Sequence, residues 1–200
     1  LGMKLPTGNY EYKDYFHKQD GLQLLPVDQS MQPGDGGFGI TVEYDFNHKI
    51  ARNSFVYSTG LYLLNPRNTN GVKRSQNLTD GIPLSNEMSV ADQFLLRAGL
   101  RQNVHAFQLG LGLRYEGVMS KDLIGESDGF RRPGTILSIE PSVIYSVGKF
   151  TTAVNVPVAM VRNRTRSELD KARTEATGTY RHGDAAFADW LLSVSVAYRL

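Results

Sequence analysis

Apolar and polar residues alternate with a period of two along most of the chain, as they do in β-strands with one apolar face. Seven segments follow this pattern: 38–46, 54–63, 93–101, 107–116, 137–147, 151–160 and 190–200. A shorter eighth segment opens the chain at Leu1–Leu5. The helical period fits almost nowhere. The sequence therefore predicts an all-β chain with eight strands, the first one truncated.

The strong segments are long for a soluble protein. They run for about 8 to 13 residues, whereas strands of globular domains average about 5 or 6 and a tilted membrane-spanning strand needs about 9 to 11. One face of each is almost purely apolar, and the other carries Gly, Ser, Thr and charge. In the segment 54–63, we assign the apolar face to Phe55, Tyr57, Thr59, Leu61 and Leu63. Because the chain offers no second apolar layer, lipid is the expected contact of these faces.

Two prolines interrupt otherwise regular strands. Pro141 and Pro157 lack the backbone N–H that a ladder position donates, so each predicts a bulge or a local gap in pairing.

Connection lengths support a barrel. They alternate between long and short in the order 6–36, 47–53, 65–92, 102–106, 117–134, 148–150 and 163–188. Bacterial outer-membrane barrels have short periplasmic turns and longer extracellular loops. Aromatic residues flank the short connections, where we expect an interfacial girdle: Phe46, Phe55, Phe107, Tyr145 and Phe150. The predicted fold is an antiparallel up-and-down transmembrane β-barrel in the bacterial outer membrane.

Composition excludes several alternatives. Hydrophobic residues make up 40% of the chain, and no run reaches the roughly 18 apolar residues of a spanning helix. The net charge is +2 without a basic block, which does not suit nucleic acid, and the chain has no cysteine for disulfides or thiolate metal sites. Its four histidines are His17, His48, His105 and His182. No nucleophile elbow or HExxH motif accompanies them, so we expect neither an enzyme nor a cofactor.

Several motifs resemble those of known barrels. The last segment, Trp190–Leu200, resembles the C-terminal insertion signal of outer-membrane barrels, with a terminal Leu in place of the commoner Phe. Gly2–Gly8 (GMKLPTG) is similar to a strand end in the family of outer-membrane proteins named for the MetA pathway of phenol degradation. The loop motifs at 32–37, 128–134 and 181–187 resemble those of related barrels. The resemblance covers residues 1–200 as one domain. It implies the C-terminal part of a barrel of about twelve strands that passes small hydrophobic or aromatic compounds.

The inward face carries both signs of charge. We expect a lumen charge network, acting as a filter, from Glu43, Asp45, Arg97, Arg101, Arg114, Glu116 and Glu140. Arg114 and Glu140 lie on sequential strands that should pair, which brings these two side chains together.

Each strand that descends from a long loop is preceded by a carboxylate, namely Asp35, Asp92, Asp128 or Asp184. Asx-type turns explain these residues most simply. A divalent cation at the mouth and contacts with lipopolysaccharide or a protein partner stay open as alternatives. The nearby Arg131, Arg132, Arg162 and Arg164 could meet anionic headgroups, and solvated loop charge is the simpler interpretation.

Two functions fit these observations. The first is an outer-membrane channel or transporter for small solutes, including hydrophobic or aromatic ones. The second is a structural barrel without solute flux, whose long extracellular loops bind a partner or surface component. Strand number separates them, because eight strands leave an interior filled by side chains whereas about twelve leave a narrow path.

Overall fold

The structure, a computed structural model, describes residues 1–74, 81–183 and 187–199. This part of the chain forms thirteen β-strands and one α-helix, with a 3-10 turn at Gln29–Met31. The strands are β1 (Gly2–Lys4), β2 (Lys13–Lys18), β3 (Gly21–Pro26), β4 (Gly39–Lys49), β5 (Ser54–Leu64), β6 (Thr69–Lys73), β7 (Glu87–Ser89), β8 (Gln93–Val104), β9 (Phe107–Val118), β10 (Gly134–Val147), β11 (Phe150–Asn155), β12 (Val158–Arg164) and β13 (Ser193–Tyr198), and the helix α1 is Glu168–Thr177. The all-β prediction is confirmed.

Nine of these strands form one curled antiparallel sheet. Its order is β1-β4-β5-β8-β9-β10, after which β11 and β12 both pair with β10 and β13 pairs with β11. Since β11 and β12 occupy one position, the sheet has the eight predicted positions in sequential order. Within the described residues β1 and β13 do not pair with each other.

Connections alternate between the two ends of the sheet, as the sequence predicts. At one end, here the turn end, tight turns join β4 to β5, β8 to β9 and β10 to β11. Two of these turns have two residues and place His105 (φ 54°) or Gly148 (φ 57°) in the left-handed region. Such turns match the right-handed twist of the flanking strands. All long connections lie at the opposite end, the loop end.

The long connections hold structure that the period-two pattern does not predict. Antiparallel hairpins form from β2 with β3 and from β6 with β7. The segment 163–188, predicted as a loop, contains α1, which begins at a capping box between Ser167 and Asp170 and ends at Gly178 with φ 67°. The Ser-x-x-Asp spacing and the following run without Gly or Pro are helix signals that strand periodicity overlooks.

Both prolines meet at one interruption of the sheet. Pro157 separates β11 from β12, so the gap predicted there is confirmed. Pro141 keeps its register against β9. On the side of β11 and β12 the ladder stops at Ile139 and resumes at Ser142, so the local gap predicted for Pro141 is confirmed there. Its carbonyl accepts from the Val156 N–H at 3.0 Å, which places its missing donor opposite the same gap. A register shift between Leu137 and Ser138 sets Met160 out of the ladder.

The two faces of the sheet differ sharply in composition. The outer face consists of exposed apolar and aromatic side chains: Ile40, Val42, Tyr44, Phe46, Leu96, Leu100, Phe107, Leu109, Leu111, Leu113, Tyr115, Ile139, Val143, Tyr145, Val147, Phe150, Val158, Val194, Val196 and Tyr198. The inner face carries polar and charged residues, among which Ser138, Glu140 and Ser142 are buried. The predicted assignment of faces therefore holds for β4, β8, β9, β10, β11 and β13.

Strand β5 is the exception. Directly opposed residues share a face, and Phe46 opposes Ser58 while Asn47 opposes Tyr57. Tyr57 therefore points inward, where it is only 2% exposed, and the face assigned to 54–63 from sequence is wrong. Both faces of β5 contain apolar residues, so its own pattern does not choose between them, and pairing with β4 and β8 decides.

The girdle prediction changes accordingly. Phe55 opposes Arg101 on the inner face and leaves the predicted set. On the outer face near the turn end, Phe107 lies 5.0 Å from Tyr145 and Phe150 lies 4.9 Å from Tyr198, measured between ring centroids. These cross-strand aromatic pairs form a band along that end.

Buried apolar side chains lie mainly at the loop end. They include Val27, Val72, Met88, Val90, Ala91 and Leu169, whereas Tyr57 is the buried apolar residue of the sheet. The described residues contain no helix long and apolar enough to cross a membrane. The final residue of the predicted last strand, Leu200, lies outside the described residues.

Candidate functional site

Pairing across the inner face sets predicted charges side by side. Asp45 opposes Thr59, Thr59 opposes Arg97, and Arg97 opposes Arg114. Arg114 in turn opposes Ser138. A single lateral row across five strands therefore carries one carboxylate and two guanidinium groups.

Four of the predicted charges form a continuous chain of ion pairs, here called the inner charge cluster: Arg97, Arg114, Glu116 and Glu140. Arg114 lies 2.6 Å from Glu116 and 3.5 Å from Glu140, and Arg97 lies 3.3 Å from Glu140. The proximity of Arg114 and Glu140 expected from strand order is thus present. Glu140 is 2% exposed. A buried carboxylate is costly without partners, and the two arginines supply them.

Three further predicted charges do not join this cluster. Glu43 and Asp45 lie on the inner face of β4 and are exposed. They line a cavity of about 400 Å³ together with Thr59, Leu61 and Leu95. Thr59 stands between Asp45 and Arg97, so their strands are two spacings, or about 10 Å, apart. Arg101 instead stacks its guanidinium over the Tyr57 ring at 3.9 Å.

Tyr57 fills the inner face because two glycines make room for it. A Cβ added at Gly99 would lie 2.9 Å from the ring and 2.5 Å from the Gly112 backbone. Only glycine lets the ring lie this close to β8 and β9. The ring therefore covers the inner face at Gly99 and Gly112.

The loop carboxylates have separate roles. Asp35 accepts the Gly37 N–H at 2.9 Å, an Asx-type contact, and also pairs with Lys4 at 2.5 Å. Asp128 exchanges hydrogen bonds with the Asn68 side chain of another loop, both at 2.9 Å. Asp184 lies outside the described residues.

Asp92 is buried and accepts several hydrogen bonds, so it does not form the Asx-type surface turn expected from sequence. It is 0% exposed and accepts from the Tyr62 hydroxyl at 3.0 Å, the Asn65 N–H at 2.7 Å and the Leu123 N–H at 2.9 Å. Its own N–H donates to Asp122 at 2.8 Å. One carboxylate therefore connects β5 to two long connections.

Arg131 is buried and paired, so its interpretation as a solvated or headgroup-binding charge is wrong. Its guanidinium donates to both carboxylate oxygens of Asp122, at 2.8 and 2.6 Å, and to the Ser89 hydroxyl. The side chains of Arg131 and Asp122 are 1% and 0% exposed. We call the structure built around these residues, at 65–72, 85–92 and 119–132, the loop cap. Its charged members come from loops without periodicity, and no local sequence signal pairs them.

Two other arginines of that predicted set also have partners. Arg162 pairs with Asp189 at the surface. Arg132 contacts Asp28 at 2.6 Å. Burial alone would raise the pKa of the Asp28 carboxyl, but hydrogen bonds from Ser30 and the charge of Arg132 outweigh it and lower the pKa below 3.8.

A second cavity lies between the loop cap and the inner face. It measures about 540 Å³ and is lined by Gln29, Arg131 and Arg132 from the loops and by Gln93, Glu116 and Ile136 from the sheet. It shares Glu116 with the inner charge cluster.

The described residues contain no group of three His, Asp or Glu side chains placed to hold a metal ion. Comparison with protein-family models, with curated proteins and with solved structures finds no match to this chain. The family resemblance inferred from sequence motifs stays a prediction.

Proposed function

We propose that the protein is a bacterial outer-membrane β-barrel that passes small solutes. The observation that carries the proposal is the inverted distribution of side chains in the sheet. Leu111 is 55% exposed on the outer face while Glu140 is 2% exposed on the inner face. Soluble monomers rarely expose apolar patches beyond a few hundred Å². The outer face runs across all strand positions from β4 to β13, so lipid is its natural contact.

Strand length supports the same proposal. Strands β4 and β5 have 11 residues, β8 and β9 have 12 and β10 has 14. A tilted strand needs about 9 to 11 residues to cross a bilayer. The cross-strand pairs Phe107–Tyr145 and Phe150–Tyr198 suit the periplasmic interface, where aromatic rings concentrate.

In this proposal the inner charge cluster is a filter along the passage. Its two arginines and two glutamates compensate one another, and it occupies the inner wall close to the loop end. We place the eight strand positions in a larger barrel of about twelve strands, because β1 and β13 each keep one free edge within the described residues.

The loop cap favours a second candidate. Loops held by the buried Asp122–Arg131 pair form a firm surface that could bind a partner or surface component without any solute flux. This non-transporting barrel and the channel share one fold and differ in conductance.

Cysteine labelling tests membrane topology without background, because the chain has no cysteine. Glu126→Cys lies exposed at the loop end and Arg52→Cys lies exposed at the turn end. On intact cells an impermeant maleimide should label the first and spare the second until the outer membrane is opened. Labelling of both variants, or of Arg52→Cys alone, would overturn the proposed orientation.

Conductance in planar bilayers tests transport. Arg114→Gln removes two contacts of the inner charge cluster and should raise single-channel conductance. Arg164→Gln makes the same charge change at an exposed position and is the matched control. A correctly inserted protein that conducts no current in any variant would favour the non-transporting barrel.

A further inference from the structure

The cavity of about 540 Å³ at the loop end has the size of a small-molecule site. Ligand pockets typically span about 300 to 1,000 Å³. The cavity borders both the loop cap and the inner charge cluster, through Arg131 and Glu116. A solute that entered past the loops would therefore meet it before the cluster.

Every charged side chain among its described lining residues already has an opposite partner. Asp35 pairs with Lys4 at 2.5 Å, Glu116 with Arg114 at 2.6 Å, Arg131 with Asp122 at 2.6 Å and Arg132 with Asp28 at 2.6 Å. A charged solute would have to break one of these pairs or enter without a counter-charge. Both are costly in a partly buried site.

The remaining lining is neutral. Gln29 donates its amide N–H to the Ser89 carbonyl at 2.6 Å. Within the described residues its side-chain oxygen accepts no hydrogen bond, so it can accept one from a solute. Gln93 adds a second amide, and Ala91, Val118, Ile136 and Phe187 add apolar surface. A few polar groups in an apolar wall orient an uncharged ligand by hydrogen bonds.

We propose that this cavity binds uncharged small solutes that carry both hydrogen-bonding groups and apolar surface, and rejects ions of either sign. The inference rests on the proposed channel function and specifies its substrate class. This selection by charge takes place before the solute reaches the filter formed by the inner charge cluster.

Proteoliposome swelling with three sugars tests the substrate class. Glucose, glucosamine and glucuronate share one ring and differ in charge at neutral pH. We expect glucose to enter about tenfold faster than either charged sugar, the ratio given by about 1.4 kcal/mol. Equal rates for all three would overturn the inference and leave the channel intact. If no sugar enters while the protein is inserted, the channel function itself fails, and the inference with it.

Variants locate the selection at the cavity. Lys4→Gln leaves the Asp35 carboxylate without its ion-pair partner and should raise glucosamine entry relative to glucose. Lys171→Gln leaves Glu168 without its ion-pair partner on α1, which contributes no lining residue, and should change neither rate. An unchanged glucosamine ratio in Lys4→Gln would contradict the proposal.

Filling the cavity separates binding there from flux elsewhere. Ile136→Trp adds bulk to a lining position, whereas Ile139→Trp adds it to the exposed outer face of the same strand. Glucose entry should fall several-fold in the first variant and stay unchanged in the second. Identical rates in both would place the solute path outside the cavity.

Discussion

The loop cap and the sheet bury opposite kinds of residue. In the loop cap, Met88 and Val90 are 2% and 0% exposed. They flank Ser89, whose hydroxyl accepts from Arg131 of the buried ion pair, as in the core of a water-soluble domain. In the sheet, Leu111 and Leu113 are exposed while Glu140 is buried. One chain thus follows two packing rules.

The proposed membrane barrel explains this difference by two surroundings, water for the loop cap and lipid for the outer face. Apolar residues move away from water wherever water is the solvent, which the loop cap obeys. The outer face of the sheet exposes the same residue types, which would lower the free energy in contact with the lipid of the proposed membrane. The boundary between the rules falls where the long strands end. Predictions that break one rule at a time therefore test the comparison.

The largest effect should come from the buried pair of the loop cap. Asp122→Ala leaves the Arg131 guanidinium buried without its counter-charge, which should cost about 3–5 kcal/mol of unfolding free energy. Urea titration of the protein in detergent micelles measures this. Asp189→Ala removes the partner of Arg162 in an exposed pair and should cost about 0–1 kcal/mol.

A double variant sharpens this result. Asp122→Ala combined with Arg131→Met removes both charges, so it should recover much of the loss seen in Asp122→Ala. Equal losses in Asp122→Ala and Asp189→Ala would show that the loop cap is not a dry core.

The next effect belongs to the sheet. Leu113→Arg sets a charge on the outer face near mid-height and should cost about 2–4 kcal/mol in lipid vesicles. Thr59→Arg makes a similar change on the inner face, between Asp45 and Arg97 and beside the cavity, and should cost less. Titration with guanidinium chloride in lipid vesicles measures the free energy of unfolding of both variants. A larger penalty for Thr59→Arg would mean that the outer face does not contact lipid.

The sequence predicts the sheet far better than the loop cap, for a physical reason. Strand number, order and faces follow from local alternation, since each residue's face depends on its immediate neighbours. Strand β5 departs because both its faces contain apolar residues, and Tyr57 is placed by pairing with neighbouring strands. The proximity of Arg114 and Glu140 in the inner charge cluster can be predicted from sequence, because these residues lie on strands that pair.

The contacts within the loop cap cannot be predicted from sequence in the same way. Asp92 meets Asn65 and Leu123 across 27 and 31 residues of chain. Arg131 meets Ser89 across 42. Such contacts depend on how two long connections fold and pack against each other, and no periodic pattern encodes that. The helix α1 lies between these two extremes of predictability. Its capping box is a local sequence signal, but it lies within a segment that the strand pattern assigns to a loop.

The smallest effect lies at the edge of the loop cap, where Asp28 meets Arg132. Hydrogen bonds from Ser30 and the charge of Arg132 lower the folded-state pKa of Asp28 below 3.8 despite its burial. The contact therefore stabilises the fold above about pH 4, and that contribution is lost as pH falls through the lower folded-state pKa. Asp28 is 35% exposed, so solvent limits the contribution to about 0–1 kcal/mol. Asp28→Asn should lower unfolding free energy slightly at pH 7 and not at pH 2, as measured by urea titration. The same substitution in a Ser30→Ala background should show a smaller difference, because one of the hydrogen bonds that lower the pKa is gone. A difference that grows as pH falls would reverse the sign and place Asp28 in surroundings that favour its protonated form.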